Sequence, residues 1–430
     1  MLIKPIQRLE GTVTIPGDKS VSHRAAIFSA IADGESTITN FLVSQDCLST
    51  LECLRGMGVT IERSGETVSI AGRGLHGLLA PSAPLDCGNS GTTARTLSGV
   101  LAAQRFESML VGDGSLSRRP MRRIITPLTE MGAAVDSADG CLPLRFRPAE
   151  RLTGISYHAQ VASAQVKTCI LLAGLYAEGE TSVTEPIVTR DHTERMFEWL
   201  GADISSADTP EGRKVMIRGG KAMTARDINV PGDISSAAFL LVAAGCLAGS
   251  HTILKNVGLN PTRRSLLDIL IECGIDLRIT DEASRSNEPA GDIEVVGGLR
   301  PRGETVKIDK HRIAGVIDEL PILAILGSRL RGGLEVRDAA ELRVKECDRI
   351  AAVVSNLRVI GGKIDEFEDG FRVYPSRLTG GNATTFGDHR IAMAFAVAGL
   401  LSDNGVEIDD PACAEVSFPN FFGVLERAAS

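Results

Sequence analysis

The 430-residue chain is long enough for two or three domains of ordinary size. Its hydrophobic content of 43% and charged content of 23% are typical of globular proteins and exclude an intrinsically disordered chain. The formal net charge of −8 argues against electrostatic binding to nucleic acid. No apolar run reaches the roughly 20 residues of a membrane helix, and the N-terminal segment lacks a signal peptide. We expect a cytoplasmic protein that binds neither nucleic acid nor membranes.

The cysteines and histidines show no disulfide or metal-binding pattern. The nine cysteines are an odd number, no two form a CxxC pair, and the seven histidines lack metal-ligand spacing. We therefore expect reduced cysteines that pack as small apolar side chains, and no metal site.

One short pattern recurs six times along the chain: a turn rich in Gly, Asp or Ser that opens a run of small apolar residues. The copies start at Gly17, Gly88, Ser163, Gly232, Asp318 and Gly387, which are 71, 75, 69, 86 and 69 residues apart. Because these turns supply residues that favour the N-terminal cap of a helix, each copy predicts a helix.

Two further patterns follow the predicted helices. A Gly and a β-branched strand come next, most clearly in GESTIT, GETSVT and GSHTIL, and a second helix then ends on Gly before another strand. Its copies are LRGMGVTI, LTEMGAAV, EWLGADI, IECGIDL and LRVIGGKI, with no evident copy near the C-terminus. We predict six units of about 70 residues, each strand–helix–strand–helix–strand, in two domains of three units.

Basic residues gather at the predicted helix starts despite the acidic net charge. Free backbone N–H groups at converging helix N-termini attract anions, and arginine binds carboxylate and phosphate in a bidentate manner. We therefore expect a small substrate that carries both groups. The basic residues of this set are Lys19, Arg24, Arg95, Arg118, Arg119, Arg122, Arg123, Lys167, Arg190, Arg343, Lys345, Arg349 and Arg390.

Carboxylates lie among these cations and are candidates for a general base or an orienting group. Asp318 and Glu319 could instead be only helix caps, and Glu346 could be only a salt-bridge partner of Lys345 or Arg349. The remaining carboxylates of this set are Asp18, Asp233, Glu341, Asp348 and Asp388.

Two nucleotide-binding motifs fail on their context. GRGLHG at residues 72–77 matches GxGxxG, but Pro81 and Pro84 follow where the dinucleotide fingerprint needs a helix. GDKS at Gly17 lacks the upstream glycine of a P-loop, and Asp18 separates Gly17 from Lys19. We reject both nucleotide sites.

Eleven segments, in order, resemble the enolpyruvyl transferase family across residues 16–422. They are PGDKSVSHRA, LDCGNSGTTAR, GDGSLSRRPM, SAQVKT, TRDHTERM, PGDISSAAF, NPTR, IDELP, ELRVKECDR, GDHRIAMA and VSFPNFF. The resemblance is strongest to the branch that uses shikimate 3-phosphate as acceptor and phosphoenolpyruvate as donor. It implies addition and elimination through a tetrahedral intermediate, with no metal or organic cofactor.

The family's fold agrees with the repeat. The resemblance implies an α/β, two-domain inside-out α/β barrel of six βαβαββ units, three per domain, which is one strand per unit more than the repeat predicts. Residues 1–16 plus 232–430 would form one domain and residues 17–231 the other, with the active site in a cleft that closes on the substrates. A monomer is expected.

The resemblance also assigns roles to individual residues. Asp318 would accept the proton of the shikimate 5-hydroxyl, Glu346 would serve at C3 of phosphoenolpyruvate, and Lys19 would neutralise charge at the reacting centre. Shikimate 3-phosphate would contact Lys19, Ser20, Arg24, Ser163, Ala164, Gln165, Arg190, Asp318 and Lys345. Phosphoenolpyruvate would contact Lys19, Gly91, Arg119, Gln165, Arg349 and Arg390.

Several positions depart from one branch of the family. Ala164 replaces a serine and can contribute only backbone, Glu341 replaces an asparagine, and Cys347 stands where Ser or Thr is usual. The herbicide glyphosate occupies the phosphoenolpyruvate site in this family, and Gly91 lacks the side chain that would crowd it, so we expect a sensitive enzyme.

Two other functions are alternatives: the activity of a sister family and anion binding without catalysis. In the sister family that uses UDP-N-acetylglucosamine, a reactive cysteine lies where this chain has Arg119. A non-catalytic anion-binding relative would not be expected to keep Lys19, Asp318, Glu346, Arg349 and Arg390 together.

Overall fold

The computed structural model describes residues 1–300 and 303–429, and they divide into two compact units. The first unit comprises Met1–Pro16, Pro231–Ala283 and Pro289–Ser430; the second comprises Gly17–Val230 and Ser284–Glu288. No helix in the described ranges is both long and apolar enough to cross a membrane.

Strands and helices alternate along the described chain. The strands are β1 Leu2–Ile3, β2 Glu10–Thr14, β3 Asp33–Thr39, β4 Thr60–Ser64, β5 Thr67–Arg73, β6 Leu85–Asp86, β7 Ser108–Val111, β8 Val135–Ala138, β9 Cys141–Phe146, β10 Ser156–His158, β11 Glu180–Glu185, β12 Ile204–Thr209, β13 Gly212–Arg218, β14 Ile228–Asn229, β15 His251–Gly258, β16 Asp276–Arg285, β17 Glu288–Val296, β18 Val306–Ile308, β19 Leu334–Val336, β20 Lys363–Phe367, β21 Gly370–Tyr374, β22 Gly381–Ala383 and β23 Val406–Ile408. The helices are α1 Lys19–Ala30, α2 Gln45–Gly56, α3 Gly91–Leu101, α4 Arg122–Glu130, α5 Ala164–Gly174, α6 His192–Trp199, α7 Ile234–Cys246, α8 Ser265–Glu272, α9 Lys310–Val316, α10 Leu320–Arg329, α11 Arg349–Val359, α12 His389–Leu401 and α13 Phe421–Ala428.

The six repeated turns each open a helix, as predicted. Helices α1, α3, α5, α7, α10 and α12 begin within three residues of the six predicted starts. In five of them the cap side chain accepts a hydrogen bond from a backbone amide of the first turn; these caps are Asp18, Ser90, Ser163, Asp233 and Asp388. Glu319 occupies the cap position of α10, but its side chain makes no capping hydrogen bond within the described structure. Glu319 therefore takes the predicted cap position but does not cap α10 through its side chain.

The strands form six small sheets in the described ranges, five with four strands and one with three. In each four-stranded sheet two strands pair in parallel, and a hairpin then adds two antiparallel strands, as in β10-β11-β13-β12. The repeated pattern read from the residues missed one strand of this hairpin, which the resemblance supplied.

Two sheets take their first strand from a distant part of the chain. In the second unit β14 pairs in parallel with β3, which joins Ile228 to Ile38. In the first unit β2 pairs in parallel with β15. The last sheet is β1-β23-β22, in which β1 replaces the hairpin, and this explains why the third sequence pattern has no sixth copy.

Buried helices occupy the centre of each unit. Every residue of α12 is buried, as are twelve consecutive residues of α7, so these helices pack on all sides. In the first unit α7, α10 and α12 contact one another. In the second unit α3 contacts both α1 and α5, and a hydrogen bond from Arg24 to Thr168 links α1 to α5. The first turns of these central helices carry several candidate site residues, among them Lys19, Gln165 and Arg390.

Candidate active site

In the first unit, Arg349 at the start of α11 is surrounded by three carboxylates. Its Nε donates a 2.8 Å hydrogen bond to Asp388, Nη2 donates a 2.7 Å bond to Glu346, and Nη1 lies 3.3 Å from Asp318. Arg349 and Asp388 are almost completely buried, whereas the Asp318 and Glu346 side chains keep about a fifth of their surface. Arg349 thus brings together both predicted proton-transfer residues.

The charged groups of this cluster shift the pKa values of Arg349 and Lys345 in opposite directions. The pKa of Arg349 is raised because Asp388, Glu346 and Asp318 outweigh the cost of its burial. The neighbouring Lys345 has a lowered pKa because its removal from water, with the Arg349 charge, exceeds the opposing effect of Asp318 and Glu341. The charge of Lys345 is therefore less favoured than that of an exposed lysine, and a bound anion would offset this cost.

Arg390, in the first turn of α12, differs from Arg349 in its partners. The residue is 4% exposed, and its Nε and Nη1 atoms are buried with no hydrogen-bond partner in the described chain. A buried guanidinium with unsatisfied N–H groups is costly unless a ligand completes it. Arg390 is thus suited to bind an anion.

In the second unit, Lys19 at the start of α1 lies beside Asp46 of α2. Their Nζ and Oδ2 atoms are 3.1 Å apart, and both side chains are largely buried. The next residue, Ser20, accepts a 3.3 Å hydrogen bond from Nη1 of Arg190, which precedes α6. The structure thereby brings Ser20 and Arg190 together, as their shared assignment requires.

Arg24, one turn further along α1, bonds to groups within the protein. Its Nε donates to Thr193, its Nη2 to Thr168, and its Nη1 to the carbonyl of Ser20, at 2.8, 2.7 and 2.9 Å. Burial is the main cause that lowers its pKa to about 10. Arg24 therefore links α1 to α5 and α6 and holds the Ser20 turn in place.

Gly91, Arg119 and Gln165 lie around the starts of α3 and α5. Gln165 accepts a 2.8 Å bond from Arg95 and donates a 2.9 Å bond to Thr92, so its amide is oriented. Arg119 donates a 2.7 Å bond to Asn89. A Cβ on Gly91 would lie 2.9 Å from Nη1 of Arg95 and 3.5 Å from Nη1 of Arg119. A side chain at residue 91 would therefore require the end of Arg95 to move and would only touch Arg119.

Ser163 and Ala164 form the cap and first residue of α5. The Ser163 hydroxyl accepts a 3.4 Å bond from the amide of Val166, so its oxygen points toward the helix start. Ala164 offers only backbone, and its carbonyl accepts a bond from Thr168. Both residues lie where backbone N–H groups of a helix are free to meet an anion.

Lys167 is placed differently from the rest of the basic set. Its ammonium is 1% exposed and lies 2.7 Å from Glu185 and 2.6 Å from Glu194. These two carboxylates raise its pKa against the effect of burial, which is the largest single cause and acts in the opposite direction. Lys167 therefore belongs to an internal ion triad rather than to a surface anion site.

Asp46 and Asn89 were missed by the sequence reasoning. Each fixes a predicted cation, Lys19 and Arg119 respectively, but neither belongs to a basic cluster or to a recurring carboxylate position. Asn89 follows Gly88 within a recognised block, whereas no local signal distinguished Asp46. No group of three or more His, Cys, Asp or Glu residues in the described ranges could hold a metal ion.

Comparison with known proteins gives one consistent result. A family model described as EPSP synthase (3-phosphoshikimate 1-carboxyvinyltransferase) matches residues 3–425. A 3-phosphoshikimate 1-carboxyvinyltransferase of Geobacter metallireducens is 47% identical over 100% of this chain and 99% of that protein.

Solved structures show the same similarity. EPSP synthase of Acinetobacter baumannii superposes with a TM-score of 0.88 and 42% identity, covering 100% of this chain and 97% of that one. The enolpyruvyl transferase NikO of Streptomyces tendae, at 18% identity and a TM-score of 0.79 over 100% and 97% of the two chains, shares the fold.

Proposed function

Because the chain belongs to the EPSP synthase family, we propose that it transfers the enolpyruvyl group of phosphoenolpyruvate to the 5-hydroxyl of shikimate 3-phosphate. The products are 5-enolpyruvylshikimate 3-phosphate and inorganic phosphate, in the biosynthesis of chorismate and the aromatic amino acids. The observation that carries this proposal is the full-length match, at 47% identity, to a relative named for that reaction.

The proposed chemistry begins with proton removal from the acceptor. Asp318 takes the proton of the 5-hydroxyl, whose oxygen attacks C2 of phosphoenolpyruvate while Glu346 donates a proton to C3. The contact with Arg349 favours the ionised form of Asp318, which a base requires. The tetrahedral intermediate then loses phosphate from C2 and a proton from C3.

Glu346 is proposed to act at C3. After Glu346 has donated its proton to C3, the 2.7 Å bond from Arg349 stabilises the resulting carboxylate, and this form suits removal of the C3 proton in the elimination step. Lys19 is proposed to neutralise negative charge at the reacting centre. The Asp46 carboxylate, 3.1 Å from the Lys19 ammonium, fixes its position.

The remaining residues are proposed to bind the two anions. Arg119, Arg349, Arg390, Gln165 and the backbone of Gly91 would bind phosphoenolpyruvate. Ser20, Arg24, Ser163, Ala164, Gln165, Arg190 and Lys345 would bind shikimate 3-phosphate. The unsatisfied N–H groups of Arg390 and the paired Ser20 and Arg190 support these assignments. The assignment of residues from both units to one reaction rests on the resemblance and stays a prediction.

We further propose a cytoplasmic monomer that needs no organic cofactor or metal. All nine cysteines are free, and most are buried, which is typical of a protein from a reducing compartment.

The test is phosphate release from phosphoenolpyruvate in metal-free buffer, with shikimate 3-phosphate or UDP-N-acetylglucosamine as acceptor. We expect release with shikimate 3-phosphate alone. Release with the sugar nucleotide alone would identify the sister activity. Release with neither, from folded protein that still binds phosphoenolpyruvate, would identify a non-catalytic relative.

A further inference from the structure

Asp318 and Glu319 are consecutive residues at the start of α10, but their side chains have different partners. Asp318 lies 3.3 Å from Nη1 of Arg349. Glu319 accepts a hydrogen bond through Oε1 from the hydroxyl of Ser235, in the first turn of α7. Nη2 of Arg263 lies 3.4 Å from the same oxygen. Glu319, the residue next to the proposed base, thus ties the start of α10 to a second central helix.

The Glu319 contacts are buried and charged. Glu319 is 1% exposed and Arg263 2%, and Nη2 of Arg263 also donates to the Ser235 hydroxyl. The same atom lies 3.5 Å from Oδ1 of Asp233, the cap of α7. Such buried ionic groups contribute little net stability, since their desolvation cost offsets their attraction. Their effect is instead to fix one geometry, because any other arrangement leaves a buried charge without its partner.

The backbone carries this constraint to Asp318. The amide of Glu319 donates to the carbonyl of Val316, and its carbonyl accepts from Leu323, both at 3.0 Å. With the Glu319 side chain bonded to Ser235, the peptide between residues 318 and 319 cannot rotate without breaking these contacts. The Glu319 contacts therefore hold in place the backbone from which the Asp318 side chain extends.

We propose that Glu319, with Ser235 and Arg263, is a positioning residue for Asp318. The inference rests on the proposed function, since it assigns Asp318 as the base. A displacement of about 1 Å in a catalytic group lowers the rate by about 100-fold. Loss of the Glu319 carboxylate therefore lowers kcat and leaves the KM for phosphoenolpyruvate nearly unchanged.

The test compares three variants by steady-state and single-turnover kinetics. Glu319→Ala removes the carboxylate, and we expect kcat to fall by about 10- to 100-fold. Glu319→Gln keeps the Oε1 acceptor for Ser235, and we expect it to recover most of that loss. Glu335→Ala, which removes a partly buried carboxylate paired with Arg372, is the matched control and retains the wild-type kcat.

A double-mutant cycle separates positioning from a general structural role. In an Asp318→Asn background, adding Glu319→Ala should cost less than about 2-fold, because the residue it positions is already removed. An equal loss in both backgrounds, or an unchanged kcat in Glu319→Ala, would overturn the inference. If Glu319→Ala does not fold, Ser235→Ala removes only the hydroxyl donor and is judged by the same cycle.

Failure of this inference is distinguishable from failure of the proposed function. If the wild-type chain releases no phosphate with shikimate 3-phosphate, the function fails, and the inference fails with it. If the wild-type chain is active and the cycle shows no coupling, only the positioning role of Glu319 is lost.

Discussion

Arg349 and Asp388 form a buried ion pair, in which Nε of Arg349 donates a 2.8 Å hydrogen bond to Oδ2 of Asp388. Asp388 also caps α12 by accepting a 2.8 Å bond from the amide of Arg390. One carboxylate therefore fixes both an arginine of α11 and the start of α12. Both arginines are assigned to phosphoenolpyruvate, so Asp388 sets the geometry of this half of the site without contacting substrate in the proposed mechanism.

Replacement of Asp388 should be costly for the fold. Asp388→Ala leaves Arg349 without its most buried partner and α12 without its cap, and we expect a loss of about 3–5 kcal/mol in the free energy of unfolding. Urea denaturation measures it. The control is Glu107→Ala, which breaks an exposed pair with Arg145 and should cost about 1 kcal/mol or less. Equal losses in the two variants would contradict this view of Asp388.

The sequence predicted the central helices because their signals are local. Asp18, Ser90 and Ser163 each cap a helix within one turn of the chain, so a short segment carries the whole signal. The pairing of Ile38 with Ile228 depends on residues 190 positions apart, and no local pattern predicts it. One strand of each hairpin was missed for the same reason, because its pairing depends on neighbouring strands rather than on a local pattern.

The basic set was predicted from charge at the helix starts and the individual roles from the family resemblance, and burial accounts for what was missed. Lys19 and Lys167 both lie in the first turn of a central helix, but Lys167 is enclosed by Glu185 and Glu194. The sequence shows the charge of a lysine but does not show which carboxylates reach it. Asp46 was missed for the same reason, because its relation to Lys19 exists only once α2 has packed against α1.

Gly91 should control the response to glyphosate. In Gly91→Ala the new Cβ would displace the flexible end of Arg95 and lie in ordinary contact with Arg119, so the helix start can form while the anion site narrows. We expect the glyphosate inhibition constant to rise by about 10-fold or more, since about 1.4 kcal/mol of lost binding is tenfold. The KM for phosphoenolpyruvate should rise less. Equal inhibition constants for the wild type and the variant would refute the steric argument.

His23 should make the protein less stable in acid. It is fully buried, with Nδ1 2.7 Å from the hydroxyl of Thr50. Burial first, and then the charges of Lys19 and Arg24, lower its pKa well below the ordinary 6.5. A lowered histidine pKa contributes stability that is present above pH 6.5 and is lost as pH falls toward the folded-state value.

The measurement is the free energy of unfolding from pH 7.5 to pH 5. Below pH 6.5 the wild type should lose up to about 1.4 kcal/mol per pH unit through His23, and His23→Asn should lose less. His158→Asn is the control, because the His158 side chain is 65% exposed. A pH slope that is identical in wild type and His23→Asn would exclude this role for His23.

Asp318 and Glu346 should affect the chemical step more than substrate binding. A well-placed general acid or base contributes about 10²–10⁴-fold, so Asp318→Asn and Glu346→Gln should each lower kcat by that factor. Both variants keep side-chain shape and an acceptor for Arg349, so their folds and their affinities for phosphoenolpyruvate should change little.

Rapid-quench kinetics would then separate the roles of Asp318 and Glu346. Asp318→Asn should slow mainly the formation of the tetrahedral intermediate, whereas Glu346→Gln should slow both its formation and its breakdown. If instead Asp318→Asn slows both steps and Glu346→Gln slows only the formation of the intermediate, the two residues exchange roles.

Arg349 and Arg390 provide a matched pair of buried arginines with opposite expected effects on stability. Arg349→Met leaves Asp318, Glu346 and Asp388 without their shared cation, and we expect a loss of about 3–5 kcal/mol. Arg390→Met removes a guanidinium whose Nε and Nη1 lack partners within the described residues, and we expect a gain of about 1–3 kcal/mol.

Both arginine variants should lose phosphoenolpyruvate binding, by about 100-fold or more for two charged hydrogen bonds. Urea denaturation and calorimetric titration with phosphoenolpyruvate measure the two quantities on the same preparations. Opposite changes in stability with a shared loss of binding would mean that Arg390 is kept for its ligand at the expense of the fold. If Arg390→Met is destabilised as strongly as Arg349→Met, then Arg390 has a structural partner, and its assignment as an anion-binding residue loses its physical support.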